Sequence, residues 1–426
     1  MDAFFQKIKM IWQDDNLRWR ILFIVIILGL FRLGATIPLP AIDLAALDQF
    51  LNQNQFFGLL DIFAGGGLSN LSIMMLGVGP FITASIIMQL LTIMFPQLKQ
   101  LYHEEGMMGR RKVAQYARYL TVPLALVQGF GLLMLLEREG VLLGLTMTDR
   151  IVSVIVVAAG SVLLMWMGEL INEYGIGNGV SLIIFAGIVA SLPQTAGELL
   201  MTFQIADLPT YIAFLGAAIL IIGAVVVMTE GERPIPITYA KRVRGMKQYG
   251  GISTYLPVRV NNAGVMPIIF ALAILLFPQM IINFLSGVNN EIVRTVIDGR
   301  FGLMAIIENP WIYSGIYFIL VFGFTYFYSA VTFDPKSIST NLQKSGAFVP
   351  GVRPGHPTAV YLSKILTRLT LVGAIFLGVV ALLPIAMQGI TGNPAFAIGG
   401  TSLLIVVVVV LDLIKKIDAQ ITMREY

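Results

Sequence analysis

The sequence predicts an all-α membrane protein of ten transmembrane helices, arranged as two inverted, pseudo-symmetric five-helix halves. Three observations predict it. The 426 residues are 57% hydrophobic and only 12% charged, with a mean hydropathy of +0.83, whereas soluble proteins carry roughly 25% charged residues. Apolar windows of about 20 residues, long enough to cross a bilayer, recur near 21–37, 72–95, 116–136, 151–171, 179–193, 209–229, 262–282, 310–333, 365–386 and 398–414. Basic residues then fall almost wholly on alternate connections.

The first window leads into Pro38-Leu39-Pro40 with no small-residue cleavage site, so it reads as a retained span rather than a cleaved signal. The second is preceded by an interrupted stretch, Asp61 to Pro96, which carries Gly65, Gly66 and Gly67, then Gly77, Gly79 and Pro80. Glycine weakens a helix and proline removes a backbone donor. A broken backbone at membrane depth is tolerated only against protein or a water-filled cavity. The break therefore predicts a hole in the protein with a short segment folded into it. Ile82 and Ile86, four residues apart, share one face of the second helix. Such a pair ordinarily faces lipid or a neighbouring helix. Ser85, Gln89, Thr92 and Gln128 are polar but uncharged, suited either to an aqueous path or to a hydrogen-bonded helix seam.

The fifth window starts directly after Gly175-Ile176-Gly177-Asn178-Gly179. A connection at 194–208 separates an N-terminal half, 1–193, from a C-terminal half, 209–426. Five spans per half force opposite orientations, the inverted-repeat arrangement of many transport proteins. Two connections are too long to be turns: 230–261, with β-branched and aromatic runs that predict a basic hairpin, and 334–358, rich in proline and glycine. Both are basic, which fits either topology and contact with anionic lipid or a functional surface.

Charge sets the orientation. All but five of the 28 Lys and Arg residues lie on the two tails and the even-numbered connections; the exceptions are Arg138, Arg150, Arg294 and Arg300 on the other side and Arg32 inside the first span. Both termini are expected to be cytoplasmic.

Several chemistries are missing from the sequence. There is no G-x-x-x-x-G-K-[ST] phosphate loop, H-E-x-x-H or G-x-S-x-G motif, and no cysteine. His103 and His356 form no credible metal site. No cofactor and no enzymatic activity are expected. A coupled small-molecule transporter would keep ionisable groups at mid-membrane, and the span centres hold almost none.

Longer strings carry a resemblance. Glu173-Tyr174-Gly175-Ile176-Gly177-Asn178-Gly179 runs into VSLIIFAG, and Tyr239-Ala240-Lys241-Arg242 precedes STYLPVRVNNAGVMP (253–267). NLQKSGAFVPGVRPG (341–355), RLTLVGAIF (368–376) and GGTSLLIVV (399–407) follow in order. Together they resemble the SecY family, the channel subunits of bacterial protein translocases, from the first helix to the last.

That resemblance implies a passive channel for unfolded secretory polypeptides in the bacterial cytoplasmic membrane, with a central pore between the halves and a short plug helix. The pore waist would be a ring of Ile82, Ile86, Ile184, Ile269 and Ile405. The plug would span 59–71, with Phe63 packing below the ring and Gly65, Gly66 and Gly67 letting it fold short. A lateral gate would lie between the second and third helices of one half and the seventh and eighth of the other, with Ile87, Gln128 and Phe277 at gate positions. Transmembrane segments would leave through it sideways into lipid. Arg353, with Arg242, Lys241 and Arg244, would dock the SecA ATPase or a ribosome, and Pro/Gly flanks would present the Arg353 guanidinium at little ordering cost. Implied partners are SecE, SecG, SecA, the ribosome, signal-sequence-bearing polypeptides and anionic lipid, with SecDF and YidC as accessories. The loop at 283–308 and the tail after Asp418 carry no distinctive string.

Overall fold

The computed structural model describes residues 12–39, 47, 61, 64–103, 106–142, 146–201, 208–239, 242–244, 247–249, 253–261, 263–275, 310–391 and 399–425. Among these, α1 (Asp15–Gly34), α2 (Gly79–Met94), α3 (Pro96–His103), α4 (Gly106–Arg138), α5 (Met147–Tyr174), α6 (Gly179–Met201) and α7 (Leu208–Glu230) make up the N-terminal part and the first helix beyond it. The remaining helices are α8 (Met266–Leu275), α9 (Pro310–Thr332), α10 (Pro335–Lys344), α11 (His356–Thr391) and α12 (Gly399–Glu425). Each of the ten expected spans coincides with one of these helices; α3 and α10 are short additions on the basic side.

The helix ends have local causes. Asp14 caps α1, its carboxylate accepting from the N–H groups of Asn16 and Leu17. Thr146 and Asp149 form a reciprocal capping box at the start of α5. Phe95 stops α2, and Pro96 starts α3 after a bend of 108°.

Four boundaries stand apart from those that hydropathy predicts. α2 begins at Gly79 rather than near 72, because 64–78 is a run of turns. Its apolar side chains are buried against protein, which a hydropathy window cannot distinguish from a span. α4 and α11 begin at Gly106 and His356, well before 116 and 365, because their first turns continue as helix outside the bilayer, where Arg110, Arg111, Lys112 and Lys364 are tolerated. α6 runs on to Met201, into the connection expected at 194–208.

Between α7 and α8 the chain forms an antiparallel hairpin of β1 (Glu232–Tyr239) and β4 (Ser253–Arg259), in register from Glu232 opposite Arg259 to Thr238 opposite Ser253. A smaller hairpin, β2 (Arg242–Arg244) with β3 (Lys247–Tyr249), lies at its far end. The second long connection adds β5 (Ala347–Phe348) to the free edge of β1, giving the sheet order β4-β1-β5. Ile235, Val258 and Val349 pack from this sheet onto Leu362, Ile365 and Leu366 of α11. The two basic connections thus form one body seated on a helix extension.

The main core gathers residues of α1, α2, α5, α6, α8, α9, α11 and α12, with Val225 of α7. On another part of α7, Ile212, Leu215, Ile219, Leu220 and Val227 are exposed, an apolar surface suited to lipid.

Candidate functional site

The five isoleucines expected to form the ring come from four helices that are far apart in the chain, yet all belong to one buried cluster. Ile82 (8% exposed) and Ile86 (2%) project from α2, Ile184 (0%) from α6, Ile269 (3%) from α8 and Ile405 (1%) from α12. Branched apolar side chains offer water and ions no hydrogen bond, and a constriction of such groups gates by dewetting.

A cavity of about 420 Å³ opens beside this cluster, on the side of the sheet. Its lining includes Leu182, Val265, Met266 and Val408, each two to four residues along the chain from one of these isoleucines, and the charged residues Arg259, Asp412, Lys415 and Lys416. The cavity residues Gly177 and Asn178, just before α6, and Ser181 and Leu182, on it, all precede Ile184.

The turn segment 64–78 meets α6 after Ile184. A Cβ added at Gly187 would overlap the Cα of Gly65, and one added at Gly65 would overlap the ring of Phe31 in α1. Gly65 adopts φ +73, a conformation that disfavours any side chain. Along α6, therefore, the order is cavity, ring isoleucine, segment. The segment is pinned within itself: one carboxylate oxygen of Asp61 accepts from the N–H groups of Leu68 and Ser69, both at 2.8 Å. Burial raises the Asp61 carboxyl above the usual range; the hydrogen bonds from Ser69 and Leu68 and the charge of Arg32 oppose this. Gly66 and Gly67 are buried beside Gly65. Phe63 lies outside the described residues.

Of the positions expected at a lateral gate, Ile87 is half-buried on α2 and Gln128 is buried (8% exposed) on α4. Phe277 lies outside the described residues. The Thr92 hydroxyl donates its hydrogen to the Gln89 carbonyl of its own helix at 2.6 Å.

Arg353 is exposed at the tip of the second connection. The Val352 N–H donates to the Val349 carbonyl (3.1 Å), and the Thr358 hydroxyl donates to the carbonyl of Arg353 itself (2.8 Å). The backbone that presents the guanidinium is thereby fixed on both sides. Arg242 and Arg244 stand in β2, where their backbones pair with Tyr249 and Lys247; Lys241 lies outside the described residues.

The position on α6 that receives the segment, Gly187, was not singled out by sequence reasoning. The chain has 42 glycines, and only a contact between distant residues marks this one.

Comparison with known proteins gives concordant results. A family model described as SecY matches residues 72–414. The chain is 40% identical to the protein translocase subunit SecY of Corynebacterium glutamicum, over 100% of this chain and 99% of that protein. Its identity to the subunit of the same name from Synechocystis sp. is 42%, over 97% and 94%. Among solved structures it resembles a protein-conducting channel, with TM-score 0.64 at 20% identity over 93% of this chain and 91% of that one. It also resembles Sec61 in a canine ribosome–channel complex from the endoplasmic reticulum, with TM-score 0.60 at 20% identity over the same shares. At that identity the structural likeness establishes the fold.

Proposed function

The chain belongs to the SecY family, and from that premise we propose that it is the passive pore through which unfolded secretory polypeptides cross the bacterial cytoplasmic membrane. A translocating chain has no fixed sequence, so the waist must yield to any side chain without binding it. Isoleucines from Ile82, Ile86, Ile184, Ile269 and Ile405 make a pliable apolar ring that seals when empty. The observation that carries this reading is the order along α6: a cavity whose lining includes charged residues, then the buried Ile184, then a folded segment packed at Gly187.

The finer assignments follow from the same reading. The chain divides at 194–208 into halves 1–193 and 209–426, and segment 59–71 is the plug, with Phe63 at a position that packs below the ring and Gly65 to Gly67 letting the segment fold short. Ile87, Gln128 and Phe277 lie on the lateral gate, where a buried glutamine makes the closed seam costly to expose to lipid. Both termini are cytoplasmic, as the positive-inside rule requires. The loops at 230–261 and 334–358, joined through β1 and β5, present Arg353, Arg242, Lys241 and Arg244 to a ribosome or to SecA. The ribosome is supported by likeness to a channel in a ribosome complex. SecE, SecG and anionic lipid complete the working assembly, with SecDF and YidC as accessories.

Replacing Ile86 and Ile184 together with glycine tests the ring. The assembled channel in a planar bilayer is expected to leak ions at rest severalfold more than wild type; unchanged conductance would remove the ring from the seal.

A further inference from the structure

Arg32 is the basic residue that the channel reading leaves without a task. It lies inside the first span, where a guanidinium is costly and an ionisable group ordinarily marks function. Its Nη1 donates at 3.0 Å to the carbonyl of Gly65, and a Cβ on Gly66 would lie 3.2 Å from the same nitrogen. Asp61, on the same segment, feels its charge.

The two ends of the segment are held differently. At its base, the Leu39 N–H donates to the Leu71 carbonyl (2.9 Å), and the Ile73 N–H donates to the Ile37 carbonyl (3.0 Å). The Ser161 hydroxyl of α5 donates to the Gly77 carbonyl (2.9 Å). These bonds join backbone that continues into α1 and α2, so the base stays fixed. The tip at Gly65 is held by Arg32 on one side and by its close approach to Gly187 on the other. Because Asp61 ties Leu68 and Ser69 to the same turn, releasing the tip releases the turn as one unit.

We infer that Arg32 and Gly187 form a two-part latch that holds segment 64–70 in its resting seat: Arg32 supplies the attractive half, and the missing side chain at Gly187 supplies the room. This rests on the reading of the chain as a channel and of the segment as its plug. Arg32 and Gly187 are positioning residues that act on the segment and not on the translocating polypeptide.

The test uses the complete complex, with its partner subunits, in proteoliposomes and planar bilayers. The natural sequence has no cysteine, so Leu68→Cys, at a position with no exposure, is a clean reporter of the seat. Arg32→Met and Gly187→Ala should each raise the resting ion conductance, and the rate at which a water-soluble thiol reagent labels Leu68→Cys, by about tenfold, the scale of one lost charged hydrogen bond. Because both act on one seat, the double variant should exceed the larger single effect only slightly. Assembled variants that keep the wild-type labelling rate would overturn the latch. A second measurement does not depend on those variants folding. With Arg32 and Gly187 intact, labelling of Leu68→Cys should accelerate when a secretory polypeptide is engaged. Passage of the polypeptide with unchanged labelling would refute the latch and leave the channel standing. Failure of the unaltered complex to pass polypeptide would instead refute the channel reading.

Discussion

Individual residues set how closely the helices approach. A Cβ added at Gly179 would overlap the carbonyl of Gly168, so the start of α6 packs directly on the α5 backbone. The turn between them is held by the Asn172 carboxamide oxygen, which accepts from the Gly179 N–H at 2.8 Å, and by Asn178, which caps Val180. Gly179→Ala is therefore expected to destabilise the protein by about 1–3 kcal/mol, the usual cost of overpacking, and to lower the Tm of the purified complex by a few degrees. An unchanged Tm would show that α5 and α6 separate freely. The motif around Gly179 stood out in the sequence, but its steric reason did not. Arg32 likewise stood out as a charge inside a span. Its acceptor, the carbonyl of Gly65, lies 33 residues away and carries no signature of its own, because every residue has a carbonyl.

The elements were legible where one physical signal dominated. All ten spans showed as apolar windows, and β1 and β4 showed through their β-branched and aromatic runs around glycines. The boundaries were less legible, because hydropathy reports burial rather than backbone conformation. Ile73, Met74, Met75 and Val78 prolong the apolar window of the second span, although they sit in turns packed on α1 and α5. The union of the two long connections was hidden as well. β5 has only two residues, too few for any pattern, and its partner β1 lies more than a hundred residues away. That union has a consequence at Arg353, whose loop is braced by a sheet packed on α11 and not by its prolines and glycines alone. Arg353→Glu is expected to reduce SecA-driven export by tenfold or more, on the order of one or two charged hydrogen bonds, with the protein still inserted. Export assays in proteoliposomes check this, and a wild-type rate would exclude the docking role.

For the molecule as a whole, the halves must part along one seam and stay joined elsewhere. In the proposed reading α2 and α4 carry the gate positions of one half, and the core cluster around Ile82 and Ile86 joins α2 to α8 and α12 of the other. Disulfide closure between cysteines introduced at Ile87 and Phe277 is expected to abolish release of transmembrane segments into lipid, and reduction should restore it. Sideways release from the locked form would place the exit elsewhere. The inverted halves could be read from the odd number of spans on each side of 194–208. The pore itself was visible only indirectly, as a break at membrane depth that needed a cavity to explain it. Where that cavity lies relative to the ring emerged from the packing of α6, with Leu182 on one side of Ile184 and Gly187 on the other.

Passage of polypeptides through the proposed isoleucine ring can be checked by trapping a secretory polypeptide partway across, one cysteine in its middle, in channels carrying a single cysteine at Ile82, Ile86, Ile184, Ile269 or Ile405. With no natural cysteine in this chain, any disulfide between the two is unambiguous. The expected result is crosslinking at all five positions, and none at exposed lipid-facing controls such as Ile219. Efficient translocation with no crosslink at any ring position would contradict the account.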